Sequence, residues 1–169
     1  MNKDDYDFCG YATRNNTRCS DGRIIRKDAF KDCDGITVPL VWSHKHNEPE
    51  NVLGHALLEN REDGVYAYGS FNDTEKGQNG LKLVRHGDIR SLSIYANQLL
   101  QDGADVLHGA IREVSLVLAG ANPGAYIENV ALAHADGYTE ILEEDALIWM
   151  NEPITCLRHS DESESEPED

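Results

Sequence analysis

The stretch NVLGHALLENREDGVYAYGSF, residues 51–71, sets the fold class. Asn51 to Glu59 reads as one strand and Val65 to Phe71 as its partner, with NREDG as the turn between them. The Asp63-Gly64 dipeptide is a hairpin signal, because both residues tolerate the positive φ angles of tight hairpin turns. Along GVYAYGSF, Val65, Ala67 and Gly69 alternate with Tyr66, Tyr68 and Ser70, the period-two pattern of a half-buried strand. A second hairpin lies further on, where Ser91 to Leu100 pairs across QDGAD with Val106 to Leu118. Strand signals dominate from about Gly35 to Leu118, arranged as sequential hairpins with few helices between them. That order predicts a mainly β fold with helices (α+β), an antiparallel barrel or sandwich rather than a parallel sheet.

Between the hairpins, NDTEKGQNGLKLVRHGD predicts a short helix over its second half, with Leu81 and Val84 apolar and Gly87 terminating it. Gly77 and Gly80 weaken the start of that helix. Beyond the second hairpin the period changes. In ANPGAYIENVALAHADG, Asn122 is placed as a helix cap and Pro123 at the first helical position. Tyr126, Ile127, Val130 and His134 then fall at helical spacing. Another helix is predicted over Thr139 to Met150, with Ile141, Leu142, Leu147 and Ile148 apolar and Glu140, Glu143 and Glu144 near its positive end. No internal repeat is visible.

At 169 residues the chain is long enough for one domain, predicted over residues 1–150. Residues 151–169, ending in SDESESEPED, have almost nothing to bury and read as an acidic, disordered tail. A formal net charge of -16 argues against a nucleic-acid binder, which needs a basic face. No apolar run approaches a membrane span, and MNKDDYDFCG lacks the features of a signal peptide, so a cytoplasmic chain is expected. Cys9, Cys19, Cys33 and Cys156 lie far apart with no CxxC pair, which favours reduced thiols over a zinc cluster.

Three stretches carry residues capable of chemistry. In VPLVWSHKH, residues 38–46, an apolar run ends in two histidines; on a continuing strand His44 and His46 share a face with Leu40 and Trp42. In IRSLSIYA, Ser91, Ser93 and Tyr95 share one face and Leu92, Ile94 and Ala96 the other. In AIREVSLVLAG, Val114, Leu116 and Leu118 form the apolar face, and Glu113, Ser115 and Val117 the opposite one. A serine nucleophile needs a base within hydrogen-bond reach, and the base gains from a group that fixes its tautomer. His44, Ser93 and Glu113 can fill those roles if the fold brings them together. His46 and Ser91 are near-twins that a small change of register would exchange for them. A metal site on His44, His46 and His55 is the alternative from another class, although no HExxH-type helix exists. His86, His108, His134 and His159 read as surface or structural residues.

VPLVWSHKH, IRSLSIYA and REVSLVLAGANPGA, in that order, resemble the prohead proteases of tailed bacteriophages (the HK97-type family), over roughly Ile36 to Val130. The resemblance implies a herpesvirus-assemblin-like fold, a small antiparallel β-barrel surrounded by helices. It implies a serine endopeptidase acting inside the assembling prohead in the host cytoplasm, without cofactor or metal. Its targets would be the scaffold, or the scaffolding extension of the major capsid protein, and its own chain. Carried over position by position, His44 is the general base, Ser93 the nucleophile and Glu113 the third member. Two departures stand out: Tyr95-Ala96 replaces a glycine and an aromatic, and Gly120-Ala121-Asn122 replaces Pro-Ala-Asn. With that backbone altered the oxyanion donors are not assignable, and Arg90 and Arg112, which flank the motif strands, rank low for the role. A catalytically inactive capsid-assembly or scaffold protein of the same fold is the non-enzymatic alternative. Related enzymes pair through helices, which leaves the 139–150 helix open to self-packing or self-association.

Overall fold

The computed structural model describes residues 5–133 and 139–143 of the chain, with side chains described as far as residue 131. The acidic tail, and residues 144–150 of the second C-terminal helix, lie outside the described residues. Among the described residues the chain forms nine strands, one α-helix and two short 3-10 turns. The strands are β1 (Phe8–Arg14), β2 (Ile24–Ile25), β3 (Thr37–Trp42), β4 (Val52–Arg61), β5 (Gly64–Phe71), β6 (Ser91–Asp102), β7 (Asp105–Val117), β8 (Ile127–Ala133) and β9 (Thr139–Glu143). The helix α1 (Glu75–His86) lies between β5 and β6. No helix among the described residues is long and apolar enough to cross a membrane.

Both hairpins form, each with a shorter turn than the sequence suggested. Arg61 pairs with Gly64 at the end of β4–β5, and Asp102 pairs with Asp105 at the end of β6–β7. The sheet runs in the order β2-β7-β3-β4-β5-β1-β8-β9, with β6 branching from β7. That path does not close on itself by strand ladders. It is also not purely antiparallel, because β7 pairs in parallel with both β2 and β3. A parallel neighbour needs a long crossover, and the β4–β5 hairpin, α1 and β6 supply it between β3 and β7. Hydrogen bonds from Leu92 N to Ala125 O (3.0 Å) and from Ile127 N to Arg90 O (2.7 Å) tie the start of β6 to the segment entering β8.

The core is filled by Phe8, Phe30, Leu40, Leu58, Leu92 and Leu116, all essentially without exposed surface. Each such side chain stabilises the fold by about 1.5–3 kcal/mol relative to exposure. The opposite face of β1 and β5 carries a second cluster, Cys9, Tyr11, Tyr66 and Tyr68. The guanidinium groups of Arg14 and Arg61 cover it, 3.6 Å from the Tyr11 ring and 3.5 Å from the Tyr66 ring. Both faces of β1 are therefore buried, which removes the alternation that would have announced it; β1 and β2 were not anticipated.

Three elements differ from the reading of the sequence. The helix α1 starts at Glu75, ahead of both glycines, with the Thr74 side chain accepting a bond from Gly77 N. Those glycines are contact points: a side chain on Gly77 would strike Asn72, and one on Gly80 would press on Phe71. Residues 122–133 do not form a helix, and His134 lies outside the described residues. Asn122 is buried and turns its side chain to Gly124 N, Thr13 Oγ1 and Arg14 O, which makes a turn of what looked like a cap. Past it the chain runs as β8, laddered antiparallel to β1 with Phe8 opposite Val130 and Cys9 opposite Asn129. Residues 139–143, the first part of the second predicted helix, form β9 against β8, with Ala131 opposite Ile141.

Candidate active site

β3 delivers the first histidine through a turn rather than along a strand. Its last residue is Trp42, after which Ser43 (φ 48°) and His44 (φ 58°) both adopt the left-handed conformation. For residues other than glycine that conformation costs on the order of 1–3 kcal/mol and needs fixed partners. They are present. Ser43 N donates to Leu116 O (2.9 Å), Lys45 N to Trp42 O (3.0 Å) and His44 N to Ser115 Oγ (3.0 Å). The alternation that put His44 and His46 on the face of Leu40 and Trp42 therefore ends one residue before it would have mattered.

The parallel pairing of β3 with β7 and the antiparallel pairing of β6 with β7 bring the three motifs together. Ser93 lies opposite Ser115, and Tyr95 opposite Glu113, while Trp42 aligns with Leu116. His44 Nε2 is 2.9 Å from Ser93 Oγ, and His44 Nδ1 is 2.7 Å from Glu113 Oε1. An ionised carboxylate can only accept, so the proton of His44 sits on Nδ1 and Nε2 is left to accept from the serine hydroxyl. Such an arrangement can deprotonate a serine and hold the resulting imidazolium against a carboxylate.

Glu113 has 2 % of its surface exposed, and Ser115 none. A carboxylate so placed needs several donors to offset its loss of water. Besides His44 it receives Ser115 Oγ at 3.1 Å on the same oxygen, while His46 Nδ1 lies 2.8 Å from its other oxygen, Oε2. The His46 ring packs on Tyr95, with centroids 5.0 Å apart. The sequence assigns neither Ser115 nor Tyr95 a role at the site. The i, i+2 spacing of Glu113 and Ser115 on one strand face was the available signal for the first.

The remaining sequence candidates lie elsewhere. Ser91 pairs with Val117 and bridges to Tyr126, away from the histidines. His55 is exposed on β4, opposite Pro39 and Ser70. Among the described residues no group of three or more His, Cys, Asp and Glu could hold a metal ion. Arg112 is exposed on β7.

A cavity of about 290 Å³ adjoins Ser93 and follows β6 through Ala96. Phe30, Leu99 and Val106 give it apolar walls, Asn122 a buried polar group, and the exposed Asp21 and Arg23 its rim. Hydrogen bonding to Arg23 holds the Asp21 carboxyl below its usual range, so the two charges at the rim are spent on each other. Burial, then the nearby Asp21 charge, pushes the Cys19 thiol up.

The fold is similar to that of a solved viral protease. The chain superimposes on the crystal structure of KSHV protease in complex with a hexapeptide phosphonate inhibitor with a TM-score of 0.52, at 15% sequence identity. The match covers 70% of this chain and 62% of the KSHV protease, less than two thirds of its length, and the likeness is one of fold. The prohead protease of Enterobacteria phage HK97 is 28% identical over 158 residues, which is 87% of this chain and 68% of that protein. Residues 1–139 match the caudovirus prohead serine protease family, and the chain belongs to that family.

Proposed function

We propose that the chain is a capsid-maturation endopeptidase in which Ser93 is the nucleophile, His44 the general base and Glu113 the orienting carboxylate. The observation that carries this reading is the continuous chain of contacts from Ser93 Oγ through His44 to Glu113, at 2.9 and 2.7 Å. Ser93 Oγ attacks the scissile carbonyl carbon while its proton passes to His44 Nε2. The imidazolium then protonates the leaving amine, and the C–N bond breaks to leave an acyl-enzyme. Water, deprotonated by the same nitrogen, hydrolyses the ester and restores Ser93. Glu113 holds the reactive tautomer and stabilises the imidazolium in a buried setting where the attraction is poorly screened.

Its substrates are the scaffold, or the scaffolding extension of the major capsid protein, and its own chain, cleaved within the assembling prohead in the host cytoplasm. The family description supports the prohead setting. The cavity beside Ser93 suits an apolar substrate side chain. Residues 1–150 act as the protease domain and 151–169 as an acidic tail. The bonds from Leu92 and Arg90 to the segment entering β8 support a barrel-like arrangement of the sheet, and self-association belongs to the same proposal.

Ser93→Ala and His44→Ala test the assignment. Each is expected to reduce cleavage of the capsid precursor by about 10⁴-fold or more, followed by gel electrophoresis, with an unchanged circular dichroism spectrum. Continued processing by both folded variants would sink it, and would favour an inactive assembly protein or another catalytic centre.

A further inference from the structure

We propose that Ala96 and Leu99 set which substrate side chain is accepted beside the scissile bond, and that they admit a large apolar one, the size of leucine, methionine or phenylalanine. The inference rests on the catalytic reading above and names what that site selects.

The cavity beside Ser93 lies where the sheet does not close. β6 is laddered to β7, but among the described residues its other edge makes only the Ser91–Tyr126 bridge and the bond from Leu92 N to Ala125 O. From Ile94 onward no strand is paired to that edge, and Ala12 and Thr13 of β1 border the gap instead. Ile94, Ala96 and Leu99 pack against the main core while staying only partly covered, so the gap is continuous with an apolar interior. Tyr95, 42 % exposed, stands where the cavity meets the surface.

The polar groups that border this space are already matched. Arg23 Nε donates to Asp21 Oδ2 (2.7 Å), and Asn122 Nδ2 donates to Thr13 Oγ1 and Arg14 O while its Oδ1 accepts from Gly124 N. A charged substrate side chain would therefore lose water with no counter-charge to offset the loss. Size narrows the class further. A dry apolar cavity of about 150 Å³ holds benzene, so the 290 Å³ here leaves a side chain of one or two carbons loosely surrounded. A leucine, methionine or phenylalanine side chain fills much more of it. The small side chain of Ala96 keeps the space open close to Ser93. Leu99, packed tightly over Gly109, bounds it further along β6.

Fluorophosphonates that differ only in the alkyl chain on phosphorus, from ethyl to dodecyl, test this without a known substrate. Ser93 Oγ attacks phosphorus, the P–F bond breaks, fluoride leaves, and the serine proton passes to His44. Second-order labelling rates of the full chain are measured, with the modified residue identified by mass spectrometry. The readout is the ratio of rates between chain lengths within each protein, in which a general change of reactivity cancels. Each methylene that leaves water is expected to raise the rate about fourfold, so wild type should label about 100-fold faster with hexyl than with ethyl. Ala96→Phe occupies the cavity and should bring that ratio down to about threefold or less. Leu99→Ala lengthens the cavity and should move the fastest-reacting chain to one longer by about two methylenes.

A wild-type rate independent of chain length, an unchanged ratio in Ala96→Phe, or an unchanged optimum in Leu99→Ala overturns the proposal. If Ala96→Phe loses its native circular dichroism, Ala96→Leu takes its place in the comparison. Failure of the catalytic reading looks different: wild type is labelled with no chain length, or Ser93→Ala is labelled as fast as wild type.

Discussion

Ser115 shows how much of this site hangs on one hydroxyl. It has no exposed surface, accepts from His44 N and donates to Glu113 Oε1, so a single side chain joins the left-handed turn to the carboxylate. Ser115→Ala leaves the His44 amide without that partner and removes one of the donors to a buried charge. The expected outcome is a loss of about 1–3 kcal/mol in stability by urea unfolding, with fluorophosphonate labelling slowed about tenfold or more. A variant that is destabilised yet labels at the wild-type rate would show that the hydroxyl serves folding alone.

Among the elements, β1 is closely crowded. It pairs with β5 on one side and β8 on the other, and at Gly10 the β8 backbone comes close enough that a Cβ would overlap Tyr126 O and lie 2.8 Å from Ile127 Cα. Neither atom can move without shifting the strand. Gly10→Ala is therefore expected to destabilise the domain by about 1–3 kcal/mol, seen as a lower denaturant midpoint. An unchanged midpoint would mean that β8 can shift away from β1 at little cost. The same crowding explains α1, where Gly77 and Gly80 are the price of close approach to Asn72 and Phe71 rather than a sign that the helix should stop.

At the scale of the molecule, the tyrosine cluster outside the main core governs behaviour in alkali. Burial first, and then the hydrogen bond from Tyr66 to Cys9 (3.2 Å), pushes the Tyr66 hydroxyl well above its usual range. Tyr68 is raised by burial and then by its bond to Glu59. A raised value in the folded state means that the folded chain holds the proton where the unfolded chain has lost it. This contribution is fully present below the ordinary tyrosine range, about pH 10, and is lost as pH rises through the folded-state value. Thermal stability is expected to fall above about pH 10, and Tyr66→Phe, which cannot ionise, should flatten that decline at some cost near neutrality. A decline of equal steepness in Tyr66→Phe would assign the alkaline sensitivity to other groups.

The two hairpins and the chemistry-bearing motifs were legible in the chain itself. Local signals suffice there: Asp63-Gly64 closes one hairpin, alternation marks its strands, and Ser93, Glu113 and His44 stand in three stretches whose order resembles a known family. What needed the tertiary structure were the contacts between residues distant in sequence. β1 is buried on both faces and so carries no alternation, and the spacing of Tyr126, Ile127 and Val130 fits a helix until Asn122 is seen spending its side chain on Thr13 and Arg14. The parallel registration of β3 with β7 places His44 and His46 on the two oxygens of Glu113, although a strand reading had only set them on one face. Period and turn chemistry are properties of a few neighbouring residues. Which face is covered, and which side chain meets which across seventy positions, depends on packing that no single segment encodes.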